Sequence, residues 1–229
     1  MARQIPLDLR LPPARTRADF LIAPANRDAL AMIDAPATWP QGRLILTGPD
    51  GAGKSHIASF WAAERGAPIR MAAGLGDDDA DALAATGGAV VIEDADRAAG
   101  IAAAERALFH LWNLCPQRGC LMLMTARAAP RDWGVTLPDL RSRLDATAQP
   151  RLGAPDESLL AAVLVKLFAD RQLAVPAGLI DWLVRRMDRD LGLARRLVAG
   201  LDAAAMSAGG PVTRRMAADL LDKLTPADP

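Results

Sequence analysis

Gly48-Pro49-Asp50-Gly51-Ala52-Gly53-Lys54-Ser55 fits the spacing G-x-x-x-x-G-K-[ST]. That spacing binds phosphate: backbone N–H groups wrap the α and β phosphates, the lysine ammonium reaches the β and γ phosphates, and the serine hydroxyl ligates Mg²⁺. Almost all of the 27 basic residues are arginine, so a lysine at position 54 stands against the chain's own bias. A point-like ammonium suits this position better than a planar guanidinium fork. A random chain of this composition would show the pattern roughly once in a thousand tries, which sets aside an ordinary glycine turn. Gly48, Asp50, Gly51, Ala52, Gly53, Lys54, Ser55 and the adjoining His56 are therefore the candidate nucleotide-binding residues, for ADP or ATP.

A second apolar run, Ala89-Val90-Val91-Ile92, ends in Glu93-Asp94. A phosphate loop needs such an acid pair, one carboxylate to hold Mg²⁺ and another to orient the attacking water. Glu93 is read as the Mg²⁺ residue, through water and beside Ser55, and Asp94 as the water-orienting residue. Arg143 lies well downstream, and its chemistry leaves two readings open. It either neutralises phosphate charge in a neighbouring subunit's site or pairs with Asp139 or Asp145 at the surface. Cys115 and Cys120, with His110 nearby, match no zinc spacing, and the two cysteines are read as buried thiols.

The elements that carry these residues follow from periodicity. Leu44 to Thr47, Ala89 to Ile92 and Cys120 to Thr125 are near-continuous apolar runs, as strands covered on both faces are. Ser55 to Arg65, Ile101 to Leu114 and Pro138 to Leu144 read as intervening helices, and Asp19 to Asp34 as helical after Pro24. The acidic Gly76-Asp77-Asp78-Asp79 reads as a solvated loop rather than an ion site. From Pro155 onward four helices are expected, over 156–172, 177–188, 191–208 and 213–224, with no strand. The fold class is α/β: a phosphate-loop domain with a parallel sheet between helices over 17–152, then a small all-helical domain over 153–229.

Residues 1–16 form a Pro- and Arg-rich lead-in around Gln4-Ile5-Pro6-Leu7-Asp8-Leu9. Pro6 disfavours helix, so Ile5, Leu7 and Leu9 should share one side of an extended segment. By itself such a segment reads as a strand paired with its own domain or as disorder, and groove binding elsewhere is the alternative. The formal net charge is zero and the pI about 6.7, which advertises neither nucleic acid nor an acidic membrane surface. No signal peptide or spanning run is visible, so a cytoplasmic protein is expected.

With these pieces assembled, the chain resembles the AAA+ ATPases, and within them the family of the bacterial replication initiator DnaA. Phe20-Leu21-Ile22-Ala23-Pro24-Ala25-Asn26-Arg27 is similar to the family's segment beside the adenine, which implies nucleotide contacts for Leu21 and Ile22. Pro138-Asp139-Leu140-Arg141-Ser142-Arg143-Leu144 matches its arginine-finger box, with Arg143 at the finger position. Asp188-Arg189-Asp190-Leu191 resembles the sensor-2 segment of the helical lid, which implies Arg189 over the phosphates. Gln4-Ile5-Pro6-Leu7-Asp8-Leu9 is similar to the Q-[LI]-x-L-x-L peptides that dock on the bacterial sliding clamp, the DNA polymerase III beta subunit. This implies partner contacts by Gln4, Ile5, Leu7 and Leu9.

The sequence ends at Pro229, directly after the lid, so the initiator's DNA-binding helix-turn-helix is expected to be absent and no direct sequence-specific DNA binding is expected. The resemblance then implies a nucleotide-bound regulator that docks on the DNA-loaded clamp and stimulates hydrolysis of DnaA-bound ATP through Arg143 in trans. A stand-alone AAA+ ATPase such as a helicase loader is the alternative. Arg185-Arg186 and Arg195-Arg196 read as solvated lid faces rather than a DNA-binding module. The acid pair runs Glu-Asp where most relatives have Asp-Glu, and Arg127 occupies the usual place of an acidic sensor-1 residue. Both departures imply weak intrinsic ATP turnover. Self-association stays open.

Overall fold

The computed structural model describes residues 15–85 and 87–225. The Gln4 to Leu9 segment lies outside the described residues. Among the described residues four strands form one parallel sheet: β1 (Arg43–Thr47), β2 (Ile69–Met71), β3 (Ala89–Glu93) and β4 (Leu121–Ala126), in the order β1-β4-β3-β2. Beyond β1 the chain at 148–152 runs alongside as a further edge. Ile45 N–H donates to Ala148 O at 3.0 Å, Thr47 N–H to Pro150 O at 2.9 Å, and Leu152 N–H to Thr47 O at 2.8 Å. Because β4 lies between β1 and β3, the chain leaving β1 and the chain leaving β3 turn apart. The crevice between them is where a doubly covered parallel sheet binds its ligand.

The strands alternate their side chains between two apolar layers. Ile45, Val90, Ile92, Met122 and Met124 pack with α3 (Asp79–Ala85), α4 (Ala102–Gln117) and α5 (Pro138–Asp145). Leu44, Leu46, Val91 and Leu123 pack with α1 (Arg27–Asp34) and α2 (Lys54–Arg65). Both faces are therefore dry, which explains why these strands read as unbroken apolar runs.

A third cluster is built by α6 (Glu157–Asp170), α7 (Leu179–Val184), α8 (Leu191–Ala208) and α9 (Arg214–Leu224), through Leu160, Leu164, Leu183, Leu197, Leu201 and Leu221. Side-chain caps start three of these helices. Asp156 accepts from Leu159 N–H, Asp190 from Gly192 and Leu193 N–H, and Thr213 from Met216 N–H. Each satisfies amides that the first helical turn leaves without a partner.

Two expectations are corrected here. The acidic stretch at 76–79 is a solvated loop only as far as Asp78, with Asp77 and Asp78 exposed in a turn, whereas Asp79 accepts from Gly76 N–H at 2.7 Å and opens α3. Acids in a first turn favour the helix N-terminus. Asp77 pairs with Arg106, and Asp81 with Arg118 and His110, all on or just after α4. The α1 helix begins only at Arg27, because Asn26 holds the preceding turn. Its side chain accepts from Ala23 N–H and donates to Leu21 O, both at 2.9 Å. Cys115 and Cys120 are buried free thiols. Among the described residues no helix is long and apolar enough to cross a membrane.

Candidate nucleotide site

The loop from Gly48 to Gly53 joins β1 to α2 at the C-terminal edge of the sheet. Gly51 and Gly53 have φ of 71° and 104°, a region that only glycine adopts without strain. A β-carbon on Gly51 would stand 2.6 Å from Asp190 Cα, and one on Gly48 would stand 2.8 Å from Leu152 O. The glycines thus admit close backbone approach from two other segments. Lys54 is buried at 7% exposure, and its Nζ donates to Gly48 O at 2.7 Å and Pro49 O at 2.8 Å. Burial pushes its ammonium below the usual lysine value, against the attraction of Asp50, Asp94 and Asp96. Asp50 itself is exposed, 3.9 Å from Lys54 Nζ.

The serine hydroxyl of the loop and the first acid of β3 meet. Ser55 Oγ donates to Glu93 Oε2 at 2.6 Å. A hydroxyl and a carboxylate converging beside an ammonium and a glycine cradle form a hard oxygen donor set, which fits Mg²⁺ completed by water and phosphate. Among the described residues no group of three His, Cys, Asp or Glu side chains stands ready for a protein-only metal cage.

Asp94 follows in left-handed geometry at φ 51°. Its N–H donates to Thr125 Oγ1 at 3.1 Å, and its carboxylate lies 3.3 Å from Arg97. Two residues on, Asp96 pairs with Arg127 at 2.9 Å, so the arginine at the end of β4 is neutralised by an acid from the end of β3.

The structure also separates residues that the sequence pattern groups. His56 faces away from the loop: its Nε2 lies 2.9 Å from Thr16 O, and its Nδ1 accepts from Arg195 of α8. Burial pushes its pKa down to about 4, with Arg195 adding to the shift. Arg189 lies at 3.0 Å from Glu157 within the helical part, while its neighbours reach the loop. Leu191 N–H donates to Gly51 O at 3.0 Å. Spacing alone could not show which neighbour meets the loop, although Asp190 before an apolar run is a legible helix cap.

Leu21 is half-buried and Ile22 is exposed, while Phe20 packs edge-on against His56 and Phe60 beside Gly53. Arg143 is remote from Lys54 and Ser55 in its contacts, seated on α4. It pairs with neither Asp139 nor Asp145; its partners are Asn113, Phe109 and Trp112.

No protein-family profile matches the chain. Solved structures do. Domain III of the Thermotoga maritima replication initiation protein DnaA superposes with a TM-score of 0.76 at 17% identity, over 94% of this chain and 98% of that one. AMPPCP-bound DnaA from Aquifex aeolicus gives 0.65 at 17% identity, over 87% of this chain and 67% of that one. The Thermotoga maritima RuvB Holliday junction branch migration motor gives 0.67 at 15% identity, over 91% and 72%. The chain has an AAA+ phosphate-loop fold, with a parallel sheet between helices followed by a helical lid.

Proposed function

We propose that this chain is a DnaA-related regulator of the Hda type, a nucleotide-bound AAA+ protein that docks on the DNA-loaded sliding clamp and stimulates hydrolysis of DnaA-bound ATP. ADP or ATP sits in the cradle of Gly48 to Ser55, with Mg²⁺ held by Ser55 and, through water, by Glu93. The ion supplies charge neutralisation at the phosphates, and Asp94 orients water for whatever slow turnover the chain performs itself. Arg143 is the group offered to DnaA, and Gln4, Ile5, Leu7 and Leu9 engage the clamp. The consequence is that DnaA returns to its ADP form and re-initiation of replication is prevented.

One observation carries the reading. Arg143 is a half-buried guanidinium on α5 that makes no ion pair with Asp139 or Asp145 and rests on neutral groups. An arginine meant only for surface solubility has no need of such a seat; one meant for another molecule's phosphates keeps its charge available. The likeness to DnaA domain III over 94% of the chain supports a partner of the same fold.

The test is a reconstituted assay of DnaA-ATP hydrolysis with and without clamp loaded on DNA. Stimulation should require the loaded clamp, disappear with Arg143→Ala, and weaken with Gln4→Ala and Leu7→Ala in step with loss of clamp pull-down. Full stimulation by Arg143→Ala would remove the finger role. Steady turnover without DnaA would favour a stand-alone ATPase instead.

A further inference from the structure

The seat of Arg143 has a second layer. Phe109, Trp112 and Asn113 stand at i, i+3 and i+4 and so share one face of α4. Arg143 Nη1 donates to Asn113 Oδ1, and its guanidinium carbon lies 4.6 Å from the Phe109 ring centroid and 4.9 Å from that of Trp112. The same indole carries another guanidinium. Arg43, the first residue of β1, is only 2% exposed, and its guanidinium carbon lies 3.2 Å from the Trp112 centroid. Its Nη1 donates to Trp112 O at 2.7 Å and its Nη2 to Gln41 Oε1.

A buried cation is costly unless something offsets the loss of water. For Arg43 the offset is two neutral acceptors and an aromatic face, with no carboxylate partner among the described residues. Burial pushes its pKa down to about 10, and the like charge of Arg143 adds to the shift. Trp112 Nε1 is buried without a hydrogen-bond partner among the described residues, so this tryptophan contributes its ring faces rather than its N–H. Two like charges thus share one ring.

This arrangement has a chemical use. A guanidinium salt-bridged at rest must give up a carboxylate before it can meet phosphate charge; one seated on rings and an amide need not. Preorganised positive charge of that kind stabilises the transition state without reorganisation. We infer that Trp112, braced by Arg43, is a positioning residue for Arg143, fixing the direction in which the guanidinium is presented to the partner's phosphates. The inference rests on the proposed role of Arg143 in trans.

Two measurements test it. In NMR spectra of the intact chain, the Arg143 Nε–H resonance, assigned by its loss in Arg143→Lys, should be displaced by ring currents and move toward the position of an exposed arginine in Trp112→Leu. In the DnaA-ATP hydrolysis assay, Trp112→Leu should lower the maximal stimulated rate about tenfold with the half-saturating concentration unchanged. Trp112→Phe should recover most of that rate, and Trp112→Leu should add nothing to Arg143→Ala. A full rate for Trp112→Leu beside an inactive Arg143→Ala overturns this inference alone. So does a raised half-saturating concentration with an unchanged maximum, or an undisplaced resonance in the native chain. A full rate for Arg143→Ala overturns the function proposed above as well.

Discussion

The amide of Leu191, the first residue of α8, donates to the carbonyl of Gly51 at 3.0 Å, and Asp190 Cα lies 2.6 Å from where a Gly51 β-carbon would be. The phosphate loop and the lid therefore meet through backbone, with no room for a methyl group. Gly51→Ala should be costly twice, once through this clash and once through the positive φ of 71°. A loss of about 2 kcal/mol is expected. It would be read as a lower urea midpoint together with weaker ADP capture in calorimetry. An unchanged midpoint would show that loop and lid do not approach this closely in solution.

Lys54 carries the next prediction. Its ammonium is held by Gly48 O and Pro49 O, both loop carbonyls, and so already lies against the loop. ADP with magnesium at about a hundred times its Kd should stabilise the folded chain by about 2.7 kcal/mol. Lys54→Ala should abolish that shift in melting midpoint while the circular dichroism spectrum stays native. A full shift in the variant would remove Lys54 from the phosphate site.

The sheet and loop were legible because their physics is local. Leu44-Ile45-Leu46 and Val90-Val91-Ile92 are covered on both faces, so burial is written into consecutive residues. The glycines of the loop likewise advertise a backbone geometry that other residues resist. β2 was not legible: Ile69, Arg70 and Met71 are half-buried or exposed, and pairing with β3 rather than their own pattern makes them a strand. α3 was hidden because Asp77 and Asp81 find Arg106, Arg118 and His110 from a helix about thirty residues away. Nor could spacing tell that Arg189 turns to Glu157 while Leu191 meets Gly51, since neighbours on a chain differ only in direction.

Glu105 is the least legible of the supporting residues and one of the most heavily used. It is 1% exposed on α4, and its carboxylate accepts from Gly100 N–H at 2.8 Å, Thr136 N–H at 3.0 Å, Thr136 Oγ1 at 2.8 Å and Leu137 N–H at 2.8 Å. Leu137 is the cap residue of α5, so this carboxylate anchors the helix that bears Arg143. Burial alone would raise its pKa, yet the amides of Thr136, Gly100 and Leu137 and the Thr136 hydroxyl together hold it below the usual glutamate value. Glu105→Gln turns an NH₂ group toward these donors and should cost about 3 kcal/mol in urea unfolding at pH 7. The depressed pKa means that the stabilisation is present above pH 4.5 and lost as pH falls through the folded value. The native and variant stabilities should converge there. A cost below about 0.5 kcal/mol would deny Glu105 this anchoring role.

His56 supplies a pH dependence in a different window. Its Nε2 faces Thr16 O and its Nδ1 faces the Arg195 guanidinium, with the Phe20 and Phe60 rings at 5.4 and 6.0 Å. Only the neutral imidazole with its proton on Nε2 satisfies both partners, donating to the carbonyl and accepting from the guanidinium. Burial, Arg195 and Arg15 push the pKa down from 6.5 to about 4, while the Thr16 carbonyl and Asp19 pull the other way. Between those values the unfolded chain binds the proton and the folded chain does not, so stability is full above pH 6.5 and declines as pH falls toward 4. About 3 kcal/mol should be lost across that interval. Urea unfolding at half-unit steps, with the imidazole resonances followed in parallel, checks the sign and the residue together. His56→Gln should start less stable at pH 7 and lose the slope, and a His56 ring that titrates near 6.5 in the folded chain would refute the buried neutral tautomer.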